Sequence, residues 1–268
     1  MSNEIQEENS SITELIEAGS EIAGSVSGAL IGGALLGPMG LIFGGAAGPI
    51  LTRLFTKAGK EVKKRVLGDR EESRIGYTYA IGLYKIKSRL ERGEELRTDG
   101  FFENEESDRS VAEEILEGVL RSAQNEYREK KIRYYGNLLA NIAFDSNINR
   151  DKANLFLKIA QNLNYQQLCI LQFLSQHGST NLNWHYSFIK SEELQKYNSL
   201  EPSVEELDSY KLLYINAPNL AVDSKMNITK LGQELVKVME LNEIDENDIK
   251  SLENELLEVR VIIEKNKK

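Results

Sequence analysis

The side chains that most often carry chemistry are few in this chain of 268 residues. It has two histidines, His177 and His185, and one cysteine, Cys169. The histidines stand 177 to 185 across an expected loop, whereas a helical metal pair is four residues apart with a further ligand nearby. Cys169 lies in the apolar run 168–174, which predicts a buried and inert thiol. No glycine-rich loop ends in Gly-Lys-Ser or Gly-Lys-Thr, so no phosphate cradle is indicated. The acid pairs Glu71-Glu72 and Glu113-Glu114 fall at expected helix starts, where carboxylates complement the helix dipole. No catalytic, cofactor-binding or metal-ligating set emerges. The residues predict a protein that is not an enzyme and needs no cofactor.

The most distinctive pattern is physical. Residues 22–52 carry no charge, and nine of them are glycine. Gly24, Gly28 and Gly32 recur every fourth residue, and Gly40, Gly44 and Gly48 repeat the spacing after Gly37-Pro38. Positions four apart share one helix face. A glycine inside a helix costs about 1 kcal/mol against alanine in water. In lipid, small residues at this spacing let two helices approach closely. The stretch resembles a glycine zipper, and the six glycines are the expected membrane and oligomerisation surface. Two geometries are open: one kinked helix across the bilayer, or a hairpin of two halves that each fall short of the roughly 20 residues a span needs. A glycine-rich hairpin folded against the rest of the protein is the alternative. Downstream lie Arg53, Lys57, Lys60, Lys63, Lys64 and Arg65, a basic cluster suited to an anionic membrane surface.

The elements around this stretch read as mainly α. Residues 1–60 combine an acidic N-terminus, with a capping box at Ser11 and Glu14, and the apolar segment. Residues 61–145 form a helical body: a helix from Asp69 to about Arg92 ended by Gly93, then a long helix from the capping box Ser110-x-x-Glu113 to about Phe144. The charged middle of that helix, 126–133, is expected to be a solvated face. Residues 146–240 suggest a small α+β domain, with helices at about 150–163 and 165–177, a short helix capped by Ser203, β-like runs at 211–216 and 225–228, and a helix capped by Thr229. Helices, a two-stranded wing and a closing helix resemble a winged-helix domain. The tail, 241–268, spaces Ile249, Leu252, Leu256, Val259 and Ile263 as a short heptad seam, for self-association or for packing back on the protein.

The formal net charge of −9 argues against general nucleic-acid binding. The reading helix of a winged-helix domain would carry Glu205, Glu206 and Asp208 where DNA contacts need lysine or arginine. The lone cysteine excludes an internal disulfide and suits a reducing compartment.

The segment 132–174 resembles the core of the bacterial abortive-infection alpha family. The resemblance rests on Leu138-Leu139-Ala140-Asn141, Asp145, Leu163, Leu168 and Leu171, and on the late Asn227-Ile-Thr-Lys-Leu-Gly232. It implies phage defence by harming the infected cell and transfers no catalytic residue. With the glycine stretch, it leads to the expectation of a cytoplasmic effector that moves to, or is anchored in, the inner membrane. Its expected partners are lipids, further copies of itself and a phage component as trigger, and it would assemble into a pore. A DNA-binding regulator and a non-enzymatic scaffold are the alternatives.

Overall fold

The computed structural model describes residues 47–104, 109–178, 180–181, 192–216 and 225–266. The architecture is mainly α-helical with a small β element. The chain divides into two compact units, Met1–Asn162 and Leu163–Lys268, where the sequence suggested breaks after 60, 145 and 240. Helix 150–162 thus belongs to the first unit, and the heptad tail to the second. The hairpin or kinked helix expected around Gly37-Pro38, and the capping box at Ser11, lie outside the described residues.

In the first unit, α1 spans Gly48–Lys63, α2 Asp69–Glu91, α3 Val111–Asn125, α4 Glu129–Ile142 and α5 Arg150–Asn162. Helix α2 starts where Gly68 is extended and the Glu71 carboxylate accepts the Gly68 N–H at 2.9 Å. That bond also holds the Glu71 carboxyl below its ordinary range. The helix ends at Gly93, whose φ of 84° is the left-handed conformation that glycine adopts without a Cβ penalty. All residues from Ile75 to Leu83 are buried, so α2 is enclosed on every side and forms the centre of this unit.

Helices α2 and α4 make the most extensive pairing, and glycine brings them together. A Cβ on Gly136 would lie 2.7 and 2.8 Å from the Ile81 side chain and 2.9 Å from the Thr78 carbonyl oxygen. On Gly82 the obstacle is only the tip of Leu139, at 2.9 Å. The Thr78 hydroxyl donates to the Ile132 carbonyl across the same contact, at 3.4 Å.

The long helix expected over 110–144 is broken. Glu126 turns extended after α3, and its carboxylate accepts the Arg128 N–H at 3.0 Å before α4 begins. A competing side-chain bond of this kind outweighs helix propensity at one position.

In the second unit, α6 (Tyr165–His177) is central. Its residues from Tyr165 to Leu174 are buried except Gln166. Around it lie β1 (Thr180–Asn181), a 3₁₀ turn at Glu192–Tyr197, α7 (Leu200–Ser209), β2 (Leu213–Asn216), β3 (Lys225–Ile228), α8 (Lys230–Met239), a second 3₁₀ turn at Leu241–Glu243 and α9 (Glu246–Asn266). The strands form an antiparallel sheet in the order β1-β3-β2, with Thr180 opposite Met226 and Leu213 opposite Ile228. The sequence suggested β2 and β3 but not the two-residue β1. Helix α7 begins three residues before the expected Ser203 cap, because the Ser203 hydroxyl donates back to the Ser199 carbonyl at 2.7 Å from inside the helix. Thr229 does cap α8, accepting the Gly232 N–H at 3.1 Å. Gly232 itself passes so close to the Leu212 carbonyl that a Cβ would lie 2.1 Å from it.

The tail packs back on the protein. Ile249, Leu252, Leu256 and Val259 are buried, with α9 lying on α6.

The glycine contact generates a graded expectation. Gly136→Ala should destabilise the protein by about 1–3 kcal/mol, because backbone and a branched side chain must both move. Gly82→Ala should be near neutral, since a Leu tip can rotate and alanine recovers up to about 1 kcal/mol of helix propensity. Urea unfolding of the two variants checks this, and equal losses would contradict it.

Candidate functional site

The basic cluster lies on or just after α1, and its described side chains divide between partners on the protein and solvent. The Lys57 ammonium pairs with the Glu113 carboxylate of α3 at 2.6 Å. Arg65 donates to the Gln124 amide oxygen at 3.2 Å and lies 3.9 Å from Glu117. Arg53 donates to the Phe102 carbonyl at 3.2 Å. Lys60 and Lys64 are exposed, and the Lys63 side chain lies outside the described residues. The opposite side of α1 is apolar, with Leu51, Leu54, Phe55 and Val62 buried. The Phe55 ring meets Tyr79 of α2 edge to face at 5.0 Å, and the Tyr79 hydroxyl donates to the Phe55 carbonyl at 3.1 Å. A narrow cleft remains between Leu54, Ala58 and Val62 of α1 and Leu116 and Leu120 of α3, rimmed by these charges.

Of the six glycines, Gly48 opens α1, with Pro49 in its first turn. Gly24, Gly28, Gly32, Gly40 and Gly44 lie outside the described residues.

The acids of α3 do more than complement a dipole. Glu113 holds α1 through Lys57. Glu114 holds α5, bonded by Arg150 and by the Asn154 amide at 2.7 Å, and the Arg150 bond keeps its carboxyl below the ordinary range. Burial pushes the Glu117 carboxyl up, but hydrogen bonds from Arg109 and Arg121 outweigh it and leave the group below its usual value. These carboxylates join three helices in one charged seam.

The other chemistry-bearing residues are not brought together. The His177 ring stacks on Phe173 at 4.5 Å, with Nδ1 3.0 Å from the Phe173 carbonyl. His185 lies outside the described residues, and Cys169 is buried. Among the described residues no cluster of His, Cys, Asp or Glu could hold a metal ion. Helix α7 exposes Glu205 and Glu206 and half-exposes Glu201 and Asp208; it contains no lysine or arginine. Glu206 also accepts the amide of buried Gln167, at 2.8 Å.

Two ionic groups were not legible as structural anchors. The run 126–133, expected as a solvated face, instead buries Lys131 at 2% exposure, paired with Glu126 at 2.7 Å. The signal lay in helical spacing: 131, 135, 138 and 142 share one face, and the last three are apolar or aromatic. Arg97 is the second. Its guanidinium donates to the Ile148 carbonyl at 2.7 Å and to Ile142 at 3.3 Å, pairs with Asp99 and lies over the Phe101 ring at 4.4 Å. It satisfies the Ile142 carbonyl at the negative end of α4 and the Ile148 carbonyl in the loop that follows. Nothing local in the sequence around 97 marks it.

No protein-family model, no curated protein and no solved structure matches the chain. The resemblance to the abortive-infection alpha family is therefore overturned. Its residues have local roles: Leu138, Leu139 and Ala140 are core positions of α4, and Thr229 and Gly232 form the junction of α8 with the strands. The pore is overturned as well. No helix among the described residues is long and apolar enough to cross a membrane. The described end of the uncharged run, from Gly48 to Thr52, forms the first turns of an amphipathic helix whose apolar side packs on protein. The expectations of lipid partners, zipper-driven self-assembly, a phage trigger and inner-membrane placement rested on that segment and that family, and they fall with them.

The seam predicts acid sensitivity. Glu114 and Glu117 have folded-state pKa values below their unfolded values, so each contributes stability above the unfolded value of about 4.3 and loses it as pH falls through the folded value. Urea midpoints should hold from pH 7 to 5 and fall below pH 4. Glu117→Gln should flatten that fall, and an unchanged acid limb in this variant would contradict the assignment.

Proposed function

We propose that this protein acts by binding and not by covalent chemistry, as a two-unit scaffold whose second unit is a winged-helix-like module for protein recognition. Several observations support the reading. Several described ionic groups are engaged in holding helices: Lys131 with Glu126, and Glu114 and Glu117 with their arginines. The order helix, strand, 3₁₀ turn, helix, strand, strand, with the sheet order β1-β3-β2, is the order a winged-helix module would have and supports that reading.

The observation that carries the choice of partner is the sign of α7. In a DNA-reading module this helix would enter the major groove and meet phosphate with cations. Here it presents Glu201, Glu205, Glu206 and Asp208 and no base. Repulsion from phosphate and attraction to lysine- or arginine-bearing protein surfaces follow from the same charges.

The test uses the full chain. At 50 mM salt it should not retard a fluorescent 30-base-pair duplex, while a lysine-rich 15-residue peptide should bind weakly and release with added salt. Glu205→Lys with Asp208→Lys should abolish the peptide signal. A salt-sensitive, sequence-selective shift of duplex by the unaltered protein would overturn the reading in favour of a DNA regulator.

A further inference from the structure

Lys131, Glu126 and Tyr135 form a buried polar cluster that the proposed binding function does not use. Glu126 follows the last turn of α3, while Lys131 and Tyr135 lie one turn apart on α4. The Lys131 ammonium lies 2.7 Å from Glu126 Oε2 and 5.3 Å from the centre of the Tyr135 ring. The Tyr135 hydroxyl lies 3.0 Å from the same carboxylate oxygen. From this cluster two donors reach one target. Lys131 Nζ donates to the Gln161 carbonyl at 3.3 Å, and the single Tyr135 hydroxyl hydrogen is shared between the Glu126 carboxylate and the Ala160 carbonyl, the latter at 3.2 Å.

Those carbonyls belong to the last turn of α5, where helical C=O groups have no partner within the helix. A cation and a hydroxyl dipole at the negative end of α5 are favourably placed. The Gln161 side chain is tied as well, donating to the Ser122 hydroxyl of α3 at 2.7 Å. Two residues after α5, Asn164 begins the capping of α6, with its side chain accepting the Gln167 N–H at 2.9 Å. The link between the last residue of α5 and the first of α6 is therefore only Leu163 and Asn164.

Such a cluster is a poor source of global stability. Two charges taken out of water lose several kcal/mol of hydration each, and an apolar replacement of similar volume is often neutral or stabilising. Burial pushes the Lys131 pKa down, against the opposing pull of Glu126. With a folded value below the unfolded one, the charged form weighs against folding at neutral pH, and the penalty lifts as pH rises through the folded value.

We propose that the Lys131–Glu126–Tyr135 cluster is a clamp that holds the last turn of α5 closed, keeping the link to α6 at two residues, and that its role is this local geometry and not the global stability of the fold. Opening the clamp frays α5 and lengthens the link by a turn.

Lys158, exposed in the last turns of α5, reports the opening, because trypsin cleaves after it only when the helix unwinds. In the full chain, Lys131→Met with Glu126→Leu should leave the thermal midpoint within a few degrees of the unaltered protein or above it. Cleavage after Lys158, followed by mass spectrometry, should accelerate about tenfold, as expected when local opening loses a hydrogen-bonded cap. Tyr135→Phe removes only a hydroxyl, keeps the ring in place and should give a smaller acceleration with the midpoint unchanged. The clamp is overturned if cleavage in the two-site variant rises only in step with a fall in the global midpoint, or if cleavage is unchanged in a folded protein. If the two-site variant does not fold, Tyr135→Phe decides alone: faster cleavage at an unchanged midpoint supports the clamp, and an unchanged rate overturns it.

Discussion

The first unit depends on how closely α2 and α4 approach. Gly136 lets the backbone of α4 come against the Thr78 carbonyl and the Ile81 side chain of α2, and that contact covers one side of a helix buried from Ile75 to Leu83. Once α2 is enclosed, the remaining helices have defined faces to cover. Helix α3 packs on α2 and α4, and α1 and α5 then pack on α3. Small-residue packing is thus a structural principle of this chain, seen here in the helical body at Gly82 and Gly136 and requiring no lipid to operate.

Charge completes what apolar packing begins. Lys57 of α1 and Arg65 just beyond it meet the acids Glu113 and Glu117 of α3, while Leu51, Leu54, Phe55 and Val62 meet the core. An amphipathic basic helix can rest on an anionic membrane or on an acidic protein face, since the physical requirement is the same. In this structure the acidic face is supplied by Glu113 and Glu117, fifty to sixty residues downstream. That distance in sequence is why the cluster resembled a membrane-surface motif when read along the chain.

Periodicity and capping residues were legible. Helix α2 between Asp69 and Gly93, the paired helices of 150–177, both longer strands and the Thr229 cap follow from spacing, turn chemistry and hydroxyl position. The break at Glu126 was not legible, because it depends on a carboxylate turning inward to Lys131 and Tyr135. The start of α7 was missed by one turn because a serine hydroxyl can bond forward as a cap or backward inside a helix, and Ser203 bonds backward. The heptad of α9 was visible, but periodicity cannot say which surface covers it, and α6 does. Of the candidate site, the acidity of α7 was plain from residue identity. The clamp on α5 was hidden within a run of charges whose helical phase was the only clue.

The ion pair of Lys57 with Glu113 docks α1 on α3. A double-mutant cycle on Lys57 and Glu113, read by urea unfolding of the full chain, tests it most directly. The two side chains are 45% and 8% exposed, so a coupling of about 1 kcal/mol is expected, between that of an open surface pair and a buried one. Lys57→Glu and Glu113→Lys should each destabilise the protein, and together they should recover much of the loss. Strictly additive effects, with no recovery in the exchanged pair, would contradict it.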